Sequence, residues 1–143
     1  MKYLSVFGFL LISFWGHTQV FQSDWNKAQE LSQEENRLLM LVFSGSDWCG
    51  PCIKLDKEIW QDNSFENFAD KHLVLYKADF PRKKANKLPQ SLDKLHKELA
   101  ASYNPNGFFP LVVVISQGNV VAQFGYEKIG ALGYIEKLRK LID

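Results

Sequence analysis

Trp25, Ala28 and Leu31 recur at helical spacing with polar residues between them, behind a Ser23-Asp24 pair that reads as a helix start. Leu38 to Phe43 is a continuous apolar run of strand length, the pattern of a strand buried on both faces, and Ser44-Gly45-Ser46-Asp47 breaks it. From Pro51 onward Ile53, Leu55, Ile59 and Trp60 are apolar while lysines and acids fill the other face, which predicts a second helix. Asn63-Ser64 then opens a short helical turn through Phe65 and Phe68. Leu73 to Phe80 reads as a second strand, and a basic stretch from Pro81 to Pro89 follows it. Ser91 caps a helix with Leu92, Leu95, Leu99 and Tyr103 on its apolar side, and Asn104-Pro105-Asn106-Gly107 is turn chemistry. Leu111 to Ile115, directly after Pro110, is the strongest strand signal, and Gln117-Gly118-Asn119 turns it into Val120 to Phe124 as a hairpin. The last helix, roughly Leu132 to Ile142, sets Ile135, Leu138 and Leu141 or Ile142 on one side. Two strand–helix crossovers, a hairpin and a closing helix make an α/β chain with a mixed central sheet covered by helices.

The N-terminus does not fit that rhythm. Lys2 is followed by an apolar run from Tyr3 to Trp15 and a small or polar exit, Gly16-His17-Thr18-Gln19. This is the pattern of a secretory signal peptide, residues 1–18, with cleavage near Thr18/Gln19 and the working domain over 19–143. The run is shorter than the roughly 20 residues of a membrane-spanning helix. An uncleaved membrane anchor and a buried N-terminal element are the alternatives. No cysteine follows the run to accept a lipid. The chain is therefore read as exported, periplasmic or secreted, and membrane-anchored if the segment is retained.

Composition changes little. At 143 residues with 46% hydrophobic content there is one core-bearing domain and no room for two. A formal net charge of +1 gives no pull toward nucleic acid or anionic membrane.

Cysteine usage changes much more. There are two cysteines, Cys49 and Cys52, in one C-x-x-C motif, so the fold must rest on its apolar core and the pair is free for chemistry. Pro51 suits the first turn of a helix, where a missing N–H costs nothing. The unpaired N–H groups and the positive end of that helix then favour a thiolate at Cys49, the nucleophile. Cys52, one turn later and expected to be more buried, is placed to resolve the mixed disulfide. Half a zinc site and a chance pair in a turn are the other readings of such a motif. Zinc would need two more ligands; after the signal only His72, His96 and carboxylates remain, and neither histidine has close ligand spacing to a partner, so no metal is assigned.

Asp47-Trp48-Cys49-Gly50-Pro51-Cys52, after a buried strand and before a helix, closely resembles the active site of the thioredoxin family. The resemblance covers about residues 36–143. It implies a thioredoxin-like fold of about four strands flanked by helices, with an extra N-terminal helix here. Phe109-Pro110 resembles the family's cis-proline, whose preceding backbone pairs with substrate. Trp48 matches an aromatic that shields the disulfide, Lys77 a strand lysine near the active site, and Gly125 a glycine bordering the substrate groove. Gly50 and Pro51 complete the motif. Four departures stand out, one being the stretch from Pro81 to Gly107, which is longer than in a minimal member of the family. Phe43 occupies the position of a buried, proton-handling aspartate, so Lys77 acting through water is one substitute. Phe109 is larger than the usual residue before the proline. Ser44-Gly45-Ser46 replaces a bulkier stretch.

The resemblance implies dithiol–disulfide exchange on protein disulfides, with no cofactor beyond the Cys49–Cys52 redox pair and an unidentified upstream reductant as partner. The Gly-Pro pair leans toward reduction, in the lower half of a family range from about −270 to about −120 mV. The chain is expected to act as a monomer, since nothing suggests an isomerase's dimerisation segment. A non-catalytic module that binds a partner or a metal is the alternative, resting on Phe43 and Phe109. Arg82-Lys83-Lys84 with Lys87 reads as a solvated loop ahead of a docking patch, Phe65, Phe68, Tyr76 and Phe80 as core, and His72 and His96 as surface histidines. Asp47 is expected to face solvent.

Overall fold

The computed structural model describes residues 21–142, so the signal-peptide segment 1–18 lies outside the described residues. Helix α1 (Trp25–Glu34) leads into β1 (Leu38–Ser44). Helix α2 (Gly50–Leu55) runs on into a wider turn over Asp56–Trp60, and α3 (Asn63–His72) and β2 (Leu73–Asp79) follow. A single 3₁₀ turn, Lys84–Asn86, interrupts the loop to α4 (Gln90–Tyr103). Strands β3 (Leu111–Ser116) and β4 (Asn119–Phe124) and helix α5 (Gly130–Arg139) close the domain. The sheet order is β2-β1-β3-β4, with β1 parallel to β2 and antiparallel to β3, and β3 antiparallel to β4.

The alternation of β1 builds two cores. Leu38, Met40 and Val42 face α2, α3 and α5, while Leu39, Leu41 and Phe43 face α1 and α4. Both sides being apolar explains why β1 reads as an unbroken hydrophobic run. Asp24 caps α1 by accepting from the Lys27 N–H at 2.9 Å, and Asp62 caps α3 through Ser64 and Phe65. The β3–β4 hairpin turns on Gln117 (φ 48°) and Gly118 (φ 81°), the paired positive φ values that a two-residue turn between twisted strands requires.

Several sequence expectations need correction. Asn63 opens a full ten-residue helix and not a short turn, because the Asp62 cap and the Phe65/Phe68/Ala69 face sustain it. Helix α4 starts at Gln90 behind Pro89, without the Ser91 side chain as its cap. Helix α5 begins earlier and ends at Arg139. Ile53 is 37% exposed and not part of the inner face of α2. His96 is 3% exposed, so it is no surface histidine. It lies 2.9 Å from the Asp79 carbonyl through Nδ1 and 3.2 Å from the Tyr76 hydroxyl through Nε2, and it ties α4 to β2. His72 is half-buried against Phe68. Phe65, Phe68 and Tyr76 are buried, and Phe80 packs half-buried on the α1/α4 core.

Candidate active site

The end of β1 sets the site. After Ser44 the chain turns sharply: the Gly45 carbonyl accepts from the N–H groups of Trp48 and Cys49, the latter at 2.8 Å. Asp79, at the end of β2, holds the same turn by accepting from the Ser46 N–H (2.9 Å) and hydroxyl (2.5 Å). Gly45 admits the Trp48 ring, since a Cβ there would lie 2.3 Å from it. That contact gives the Ser44-Gly45-Ser46 departure a physical reason.

Cys49 is the residue that caps α2. The first-turn N–H of Cys52 points at Cys49 Sγ from 3.3 Å, and the Gly45 N–H points at Cys52 Sγ from 3.5 Å. Each sulfur therefore faces a backbone donor, and the helix start places partial positive charge on the Cys49 side. The two are joined in a disulfide and are buried alike, 4% and 3% exposed, so burial does not separate them as the sequence suggested.

Trp48 directly precedes Cys49. Its Nε1 donates to the Phe80 carbonyl at 2.7 Å, its ring lies 5.4 Å from Phe109, and the Arg82 guanidinium sits 3.7 Å above it. Phe109 also meets Phe80 edge-on at 5.4 Å. The Phe109–Pro110 bond is cis, and Asn104 braces the approach by hydrogen bonds to the N–H and carbonyl of Phe108. Pro51, Phe108, Phe109, Pro110, Gly125 and Tyr126 line a groove of about 580 Å³. Gly125 keeps that groove open, since a Cβ there would lie 3.3 Å from the Pro110 carbonyl. The Tyr134 hydroxyl donates to the Gly125 carbonyl and accepts from the Glu127 N–H, and burial pushes its pKa up to about 12.

Lys77 is paired with a residue of the helix that follows the cysteines. Its ammonium lies 3.1 Å from Asp56 Oδ1 and 4.6 Å from the centre of the Phe21 ring. Asp56 stands one helical turn after Cys52, its N–H bonding the Cys52 carbonyl. Phe43 is fully buried and stacks on Phe80 in the α1/α4 core. Among the described residues no group of three or more His, Cys, Asp or Glu is arranged to hold a metal ion.

Sequence reading missed Asp47. It is half-buried, accepts from the N–H groups of Arg82 (3.0 Å) and Lys83 (3.0 Å) and from the Asn86 amide (2.9 Å), and so pins the 80–89 loop to the active-site turn. These donors hold its carboxyl below the ordinary value of 3.8. A lowered native pKa means the clamp is complete above the ordinary carboxylate range and fails as pH falls through the lower native value. The expected result is an acid-induced change in tryptophan emission, as Arg82 leaves Trp48, that is absent in Asp47→Asn. An identical acid profile in the two proteins would contradict it. A carboxylate that captures donors far along the chain leaves no local pattern, and for the same reason Asp79 and Asp56 went unnoticed.

Comparison with known proteins agrees with this geometry. The family described as a thioredoxin-like domain matches residues 25–133. Disulfide bond reductase DsbH of Chlamydia pneumoniae is 35% identical over 116 residues, 81% of this chain and 69% of that protein. A solved DsbH oxidoreductase superposes with a TM-score of 0.80 at 30% identity, covering 99% of this chain and 94% of that one. A thioredoxin from Thermus thermophilus shares the fold at 17% identity, with a TM-score of 0.64 over 86% of this chain and 87% of its own. The chain belongs to the thioredoxin-like family of thiol–disulfide oxidoreductases.

Proposed function

We propose that this chain reduces disulfide bonds of exported proteins, with Cys49 as nucleophile and Cys52 as resolving thiol. The observation that carries the reading is Cys49 Sγ at the start of α2, 3.3 Å from a backbone N–H and next to the Pro51–Phe109–Pro110–Gly125 groove. In the reduced chain the Cys49 thiolate attacks one sulfur of the substrate disulfide; that bond breaks and the released sulfur takes a proton. Cys52 then loses its proton and attacks Cys49 Sγ, which frees the second substrate thiol and re-forms the Cys49–Cys52 disulfide. Two electrons pass to the substrate, and an upstream reductant returns them. The name of the 35%-identical relative, a disulfide bond reductase, supports the reducing direction. The N-terminal apolar segment supports action outside the cytoplasm.

The same scheme predicts that Cys52→Ser stops after the first attack. Mixed disulfides between Cys49 and exported proteins should accumulate and should dissolve on adding a small thiol. A Cys52→Ser protein that releases substrate as fast as the wild type would contradict the resolving role.

A further inference from the structure

We infer that the loop from Arg82 to Lys87 is a docking surface for an acidic segment next to the target disulfide. The inference rests on the exchange chemistry above and adds the class of substrate that this site prefers. Arg82, Lys83, Lys84, Lys87 and Lys97 line a cavity of about 640 Å³ together with Asp93. Among the described residues none of the first four forms an ion pair, whereas Lys97 meets Asp93 at 2.6 Å. Asp47 faces the same loop, its oxygens occupied by the Arg82 and Lys83 N–H groups and the Asn86 amide. Five cations against two carboxylates leave a net +3 here, in a chain whose whole charge is +1.

Position gives that charge its meaning. Arg82 both lines the cavity and lies 3.7 Å above Trp48, the residue before Cys49. The Asp47 clamp fixes the backbone of the loop against the active-site turn, so the residues that carry these cations start from a held position beside it. A substrate whose sulfur reaches Cys49 must lay its neighbouring residues over Trp48 or the Phe109 groove. On the Trp48 side those residues meet lysine and arginine. Exposed pairs of this kind are individually weak, but several acting together over a short segment amount to about a tenfold preference, screened by salt.

The test uses the full chain and two peptides in which serine replaces cysteine, so that binding is read apart from exchange. One carries Asp and Glu beside that serine, and the other carries Asn and Gln. Titration by tryptophan emission should show the acidic peptide binding about tenfold more tightly at low salt, with the advantage shrinking as salt rises. The combined Lys83→Gln, Lys84→Gln, Lys87→Gln variant should lose the preference, and the salt dependence of the unaltered chain needs no variant at all. Equal affinities for the two peptides would overturn the inference, as would a preference that survives in the triple variant. Adsorption to anionic phospholipid vesicles without discrimination between the peptides would overturn it too, and would identify a membrane surface in place of an acidic polypeptide. Absence of catalysed disulfide reduction would instead count against the exchange reading, which these thiol-free peptides do not measure.

Discussion

Turnover of a protein disulfide should fall to the uncatalysed background in Cys49→Ser, while the variant should remain folded. The attacking group is a thiolate, and a serine hydroxyl at the same position does not ionise near neutral pH or exchange with a disulfide. Loss of the Cys49–Cys52 link also frees the unfolded chain, but the loop it closes is only four residues, worth about 2 kcal/mol on the chain-entropy account. Neither sulfur belongs to the two apolar clusters that hold the sheet, so the fold survives. Catalysed reduction of an exposed protein disulfide with a small thiol as electron source measures the loss, and far-ultraviolet circular dichroism checks the fold. Retained turnover in Cys49→Ser would remove the nucleophile from the account.

Phe65→Ala should cost about 3–5 kcal/mol, the range for emptying a well-packed phenylalanine site. Phe65 is 0% exposed, its ring centroid lies 4.8 Å from that of Trp60, and it belongs to the core that α2, α3 and α5 form beneath the sheet. Its N–H is also bound by the Asp62 cap, so the backbone is held while the ring is removed, which limits collapse into the space. A domain of this size has about 5–15 kcal/mol to lose, so the urea midpoint should drop steeply at unchanged slope. A loss below about 1 kcal/mol, the usual scale of surface changes, would mean α3 is not part of the main core.

Much of this molecule is legible in the chain because its signals are local. β1 and β3 announce themselves as aliphatic runs since both faces are covered, and Gln117-Gly118 supplies the φ values its hairpin needs. Cys49 to Cys52 is a four-residue motif whose chemistry follows from a helix start. What stayed hidden depends on residues distant in sequence. His96 stands at i+4 from Leu92 and three before Leu99, on the buried face of α4, yet only Tyr76 and the Asp79 carbonyl make an inward imidazole acceptable. Asp47 looked like an exposed acid because its partners lie 35 to 39 positions away. The pairing of Lys77 with Asp56 left no local signal because it spans two elements. Phe43 is an exception in kind: the sequence displays the missing carboxylate, and the structure supplies the apolar packing with Phe80 that takes its place.

The central claim is that the Cys49–Cys52 pair donates electrons to substrate disulfides. Its most direct test is the equilibrium reduction potential of the pair against a buffered thiol–disulfide couple. The account predicts a value in the lower half of the range from about −270 to about −120 mV. A value in the upper half would contradict the reductase assignment and make the pair an oxidant.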